Sequence, residues 1–172
     1  MKSIRYAAAV TFLSIATVGL VSAGDNHDAY GRGNRILGLW GTEATVRPCD
    51  PAVPGPVVNI RNTLLFHAGG TVVENPRSAP NGTPNVLGIP GIYQRNQALG
   101  TWMYDHSTRR YFIHLQFDNF VDGVWHGWST VDREMVLSNR GMLATGPVRS
   151  TRFNADGTAV NAVCGQATGA PL

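Results

Sequence analysis

Seven side chains of this 172-residue sequence combine a binding or reactive group with a position that strand alternation turns inward: Trp40, Glu74, Trp102, Tyr111, Arg133, Arg149 and Asn161. Two arginines on an apolar face are matched to an anion, because a guanidinium grips a carboxylate or enolate through charge-assisted, often bidentate hydrogen bonds. Trp40, Trp102 and Tyr111 would wall such a site with aromatic surface, and Asn161 would add one amide. In a catalytic version of the same cavity, Glu74 or Tyr111 would move the proton; otherwise no catalytic residue is expected. A second assignment stays open, since charges facing an apolar interior need partners whatever their role. Glu74 and one arginine then form a structural ion pair, the other arginine lies in water at a rim, and the aromatic residues are core.

Other chemistries find little footing. His67, His106, His114 and His126 lack the close spacing of a zinc site and no His-Glu-x-x-His occurs, so neither a metal nor a cofactor is expected. No Gly-x-Ser-x-Gly elbow offers a serine nucleophile. Lys2 is the only lysine. Asp132 and Glu134 alternate to the outer face, away from Glu74, which removes the carboxylate pair that sugar hydrolysis needs.

These placements come from strands. Residues 110–120 and 124–137 alternate apolar and polar side chains around Val121-Asp122-Gly123, where Gly123 suits a three-residue hairpin loop with a bulge. With Phe120 opposite Val124, one face collects Tyr111, Ile113, Leu115, Phe117, Val131, Met135 and Leu137, with Arg133 the misfit. The other face pairs Arg110 with Glu134 and Asp118 with His126, as an outer surface should. Parity carried through Asn139-Arg140-Gly141 puts Thr145, Arg149, Thr151 and Phe153 on the inner face, followed by Asn161 and Val163. Further strands are read at 36–47, with Trp40, Ala44 and Val46 in phase, and at 98–104, 143–153 and 158–166. A hairpin at Gly69-Gly70 joins 57–68 to 71–75 and sets Leu64, Phe66, Val72 and Glu74 on one face. Its turn, Phe66-His-Ala-Gly-Gly-Thr71, is echoed by Phe153-Asn-Ala-Asp-Gly-Thr158, which reads as one turn chemistry used twice. The Pro-, Asn- and Gly-rich stretch 76–90 is long enough to act as a lid or binding loop over a barrel mouth. Trp125 and Trp128 fall on opposite faces, so at least one is expected outside.

About eight strands, short turns and no amphipathic helix give an all-β fold, a single closed antiparallel up-and-down barrel with no open edge. Cys49 follows the first strand and Cys164 lies in the last, so a Cys49–Cys164 disulfide would join the two ends of the closing sheet, buried free thiols being the alternative. Lys2 and Arg5 precede the uncharged run 6–21, and Val21-Ser22-Ala23 is a small-residue cleavage pattern. Residues 1–23 are therefore read as a signal peptide, 24–35 as a flexible tail and 36–168 as the barrel. Gly24 leaves no lipid-anchor cysteine at the cleavage point, and no later stretch is apolar enough to span a membrane. The expected location is secreted or periplasmic. Loss of Lys2 and Arg5 leaves twelve arginines against eleven acids, a net +1 that removes the support for a nucleic-acid partner. The lysine-free, Arg- and Ala-rich composition points to a GC-rich bacterial genome.

Gly38-Leu39-Trp40 resembles the Gly-x-Trp opening of lipocalins and other calycin barrels. From 36 to 168 the layout is similar to a group of exported bacterial lipocalin-like proteins. The shared features are Cys49 after Arg47-Pro48, the Phe66-x-x-Gly-Gly-Thr turn, Gly100-Thr101-Trp102 before the central ribbon, Arg133-x-x-x-Leu137-Ser138, the Asp-Gly turns and Cys164. The ending Gln166-Ala167-Thr168-Gly169 departs from lipocalins, which usually stack a basic residue on the first-strand tryptophan. Together, the residues and the resemblance imply an exported, non-enzymatic barrel with one small amphipathic, anionic ligand in its interior. Two alternatives come from other classes. One is a cyclase or isomerase similar to the allene oxide cyclase barrels, and the other is an interaction module with a filled core that works through Trp125 or Trp128 and the 76–90 loop.

Overall fold

The computed structural model describes residues 33–86 and 89–172; the signal peptide expected at 1–23 and the tail up to Arg32 lie outside the described residues. Among the described residues the chain forms ten strands: β1 (Gly38–Pro48), β2 (Val58–Phe66), β3 (Thr71–Pro76), β4 (Thr83–Pro84), β5 (Ile92–Arg95), β6 (Ala98–Asp105), β7 (Arg110–Val121), β8 (Val124–Ser138), β9 (Leu143–Phe153) and β10 (Ala159–Pro171). Eight of them, β1-β2-β3-β6-β7-β8-β9-β10, pair antiparallel in sequence order, and β10 pairs with β1 to close the ring. The all-β, eight-stranded, up-and-down barrel expected from alternation is the fold observed. β5 continues the line of β6 along the far half of β7, and the two-residue β4 pairs with β5 inside the long 77–91 connection.

Alternation explains which side of each strand is dry. β7 buries Tyr111, Ile113, Leu115, Phe117 and Asn119, and β8 buries Ser129, Val131, Arg133 and Met135. β1 turns Trp40, Thr42, Ala44 and Val46 inward, and the β2–β3 hairpin contributes Leu64, Phe66, Val72 and Glu74. One end of the barrel is packed solid. A 3-10 turn at Asn34–Ile36 tucks Ile36 beneath it, and the Trp40 indole donates to the Ile36 carbonyl at 2.7 Å. Trp102 and Tyr104 each pack tilted against Tyr111 above that floor, and Phe66 meets Trp102 edge to face. Ile36, where the barrel is expected to begin, is already buried, and the last strand runs on to Pro171, past the expected end at 166.

Three register details differ from the sequence reading. The β7–β8 turn is a two-residue Asp122-Gly123 loop with Val121 opposite Val124, both turn residues having positive φ. The ladder beyond it is offset by two from expectation, so Phe112 faces Glu134 and His114 faces Asp132. A two-residue offset keeps every side chain on its face, and the inner set is unchanged. A bulge sits where His126 and Gly127 oppose Asn119. Gly127 adopts φ +104, and a Cβ there would lie 2.2 Å from the Phe153 carbonyl oxygen, so the position requires glycine. The bulge changes the phase of the strand, and Trp125 and Trp128 both face outward instead of on opposite faces: Trp125 donates to Asp118 and Trp128 stacks on Phe153.

The third difference matters most. β8 and β9 are joined by four residues, 139–142, with Ser138 opposite Leu143. One residue more than expected reverses the whole of β9. Ala144 and Val148 are buried, Ser150 and Arg152 share their inward phase, and Thr145, Arg149 and Thr151 face out.

Cys49 and Cys164 form the expected disulfide, with Cα atoms 4.8 Å apart, where β1 leaves the barrel beside β10. The echoed turns are also one chemistry, since His67 N–H donates to the Thr71 carbonyl and Asn154 N–H to the Thr158 carbonyl, both at 2.9 Å. No helix among the described residues is long and apolar enough to cross a membrane.

Candidate functional site

The open end of the barrel carries the 49–57, 77–91, 122–123 and 154–158 connections. Between them lies a cavity of about 280 Å³. Its walls are apolar where Val58, Ile60, Phe117 and Val163 come up from the strands and where Val86 and Ile89 come down from the long connection. The 76–90 stretch thus forms one side of the mouth, with Pro76, Arg77, Ser78, Ala79 and Thr83 also on the cavity. Its polar lining comprises Asn59, Arg61, Asn62, Tyr93, Arg95, Ser129, Ser150, Arg152 and Asn161 besides Arg77, Ser78 and Thr83 of the long connection.

Beneath the cavity is a buried ion triad. Glu74 is 0% exposed and Arg133 4%. Arg133 donates one Nη to Glu74 Oε2 at 2.6 Å and the other to the Thr42 hydroxyl at 3.3 Å. Arg95 donates to the second carboxylate oxygen, Oε1, and its guanidinium lies 4.1 Å from the centre of the Phe117 ring. Burial alone would push the Glu74 carboxyl up, but Arg133, Arg95 and the Asn62 side chain together outweigh it and hold the carboxyl below its ordinary value. Beside Arg95, the Tyr93 hydroxyl donates to Asn119 Oδ1 at 2.6 Å and Asn119 donates to Ser129 Oγ at 2.9 Å. Burial raises the Tyr93 pKa against the pull of Arg95 and Arg152. Arg152 enters the wall from β9 with one Nη in contact with His126 Nδ1 at 3.0 Å.

The inner surface is therefore positively charged. Among the described residues it carries three guanidiniums, Arg95, Arg133 and Arg152, and one carboxylate, Glu74, which pairs with the first two. Arg95 lines the cavity directly, and Arg152 meets no acid of the described residues within salt-bridge distance.

Of the seven side chains singled out in the sequence, the structure brings five inside together at different depths. Trp40, Glu74, Tyr111 and Arg133 are buried in the packed half, and Asn161 lines the cavity at its rim. Trp102 is half-buried, its indole donating to the His67 carbonyl at 3.0 Å near the closed end. Arg149 is a correction: it lies on the outer face opposite Asp132, because the four-residue β8–β9 connection reversed its strand. Two residues were missed. Arg152 was hidden by the same phase error, and Arg95 by its place in 91–97, where no strand is expected because Ile92-Tyr93-Gln94-Arg95 is short and shows no apolar–polar alternation.

The two side chains of the proton-transfer alternative are shifted in opposite directions, both away from neutral pH. Glu74 is held ionised between two cations, and burial with the neighbouring Tyr104 pushes the Tyr111 phenol up to about 12 despite Arg35. A proton-transfer group works best with a pKa near the working pH, and neither side chain is tuned that way. The outer face holds exposed charge pairs such as Arg110–Glu134 and His114–Asp132, and the described residues contain no His, Cys, Asp and Glu cluster able to hold a metal. No protein-family model matches the chain, and no curated protein matches it.

Proposed function

We propose that the protein is an exported, lipocalin-like carrier or scavenger that holds one small amphipathic anion in the mouth of its barrel. The observation that carries this reading is the excess of guanidinium over carboxylate on the walls of an otherwise apolar cavity. An apolar body would lie against Val58, Ile60, Val86, Ile89, Phe117 and Val163. Its acidic group would compensate Arg152 and the part of the Arg95 charge that Glu74, shared with Arg133, leaves over. Glu74 and Arg133 fix Arg95 from below, while Trp40 and Tyr111 form the packed floor. Export is supported by the Lys2/Arg5 leader pattern and by a disulfide, which persists in oxidising compartments.

The test is titration with an anionic fluorescent fatty acid. Binding near one equivalent is expected, weakened about tenfold in Arg152→Gln and unchanged in Arg149→Ala, whose side chain is outside. Absence of binding by the unmodified protein, or equal loss in both variants, would contradict the reading.

A further inference from the structure

The cavity wall holds two buried polar atoms of opposite kind that meet no partner among the described residues. Asn62 is 3% exposed, lines the cavity from β2, and its Oδ1 accepts no hydrogen bond. The Asn62 side chain helps to hold the Glu74 carboxyl below its ordinary value, the effect of an amide whose NH₂ end is turned toward a carboxylate, and this leaves Oδ1 as the free end. The nearby Thr42 hydroxyl does not supply the missing donor, since it donates at 3.4 Å to the Asn62 main-chain carbonyl and receives Arg133. Arg152 Nε, on another wall, is a buried N–H without an acceptor.

A buried acceptor or donor without a partner carries a desolvation cost, so such atoms are normally satisfied. A plain fatty acid would satisfy only one of the two: its carboxylate accepts from the arginine, and its chain offers nothing to Asn62. We propose that the mouth cavity recognises an acid carrying a second group that donates a hydrogen bond, a hydroxyl or an amide N–H, with Asn62 Oδ1 as its receptor and Arg152 Nε as the receptor of the acid. Asn62 is then the specificity-determining residue. The proposal rests on the anion-binding reading of the same cavity and narrows it from amphipathic acids at large to hydroxylated or amidated ones. Sites built to pair a ligand hydroxyl reject the analogue that lacks it strongly, because the protein atom is left bare.

The experiment compares the affinities of octanoate, 2-, 3- and 8-hydroxyoctanoate and the corresponding methoxy acids for the full mature chain by isothermal titration calorimetry. At least one hydroxy acid is expected to bind about tenfold or more tightly than octanoate, with its methoxy counterpart falling back to the octanoate level. In Asn62→Leu the preference for the hydroxy acid over octanoate should vanish. The methoxy comparison needs no variant, so the test survives if Asn62→Leu fails to fold. If octanoate binds and no hydroxy acid binds more tightly, or the preference survives methylation or Asn62→Leu, the proposal is overturned and the anion site stands. If no acid binds, both fall.

Discussion

At Glu74 a single carboxylate holds Arg95 and Arg133 in place, and its removal would leave two buried cations facing each other. Breaking a buried pair by deleting one partner costs about 3–5 kcal/mol, so Glu74→Gln should lower the urea unfolding free energy by roughly that amount. Arg149→Ala, on the surface, should stay within about 0.5 kcal/mol. The same carboxyl gives a pH signature. Its folded pKa is depressed, so its contribution is complete above the unfolded carboxylate value and is lost as pH falls through the folded one. Asp105 and Asp156 are depressed as well, by hydrogen bonds within their turns, so the Glu74 share is the difference between the acid-unfolding profiles of the protein and Glu74→Gln. That difference should shrink as pH falls below the ordinary carboxylate range; a constant offset would count against the triad. Glu74 and Arg133 were legible as inward charges because each interrupts an apolar face, yet their mutual pairing was only one of two open assignments. Arg95, the third member, lay in a short strand without apolar–polar alternation.

The elements show where such legibility stops. Faces were recoverable wherever alternation ran uninterrupted, as along β7, and a two-residue register error left them intact. Phase was lost at two places where a single residue decides everything: the 139–142 connection and the Gly127 bulge. Nothing in Asn139-Arg140-Gly141 distinguishes three loop residues from four, because Asn139, Arg140 and Gly141 all take positive φ, an arrangement that composition does not encode. Gly127 falls inside the strand read at 124–137 with nothing in the sequence to mark a bulge, although its backbone conformation and its closeness to Phe153 admit no Cβ. Gly127→Ala should therefore destabilise the protein by more than about 1 kcal/mol, read as a lower thermal midpoint. Gly123→Ala is the companion: its φ is positive too, but no atom crowds its Cβ, so its loss should be smaller.

For the molecule as a whole, closure is the feature that both the sequence and the structure express most clearly. Strand spacing gave the number of staves, and the two cysteines, 115 positions apart, gave the seam. In the chain-entropy picture a crosslink across so long a loop contributes up to about 4–5 kcal/mol, so the Cys49→Ala/Cys164→Ala variant should unfold at markedly lower denaturant with the same barrel signature in circular dichroism. The division into a packed half and an open half was not legible, because it depends on how far side chains from opposite walls reach across the barrel. Trp40 and Tyr111 fill the closed end, and the cavity survives only under the 77–91 connection. The most direct test of the account is a ¹⁵N nuclear magnetic resonance titration with octanoate, following backbone amides and arginine Nε–H groups. Saturable shifts concentrated at Asn62, Arg95, Phe117, Arg152 and Asn161, with Trp40 and Arg149 still, are what the account predicts. Shifts confined to the outer face, or none at millimolar octanoate, would contradict it.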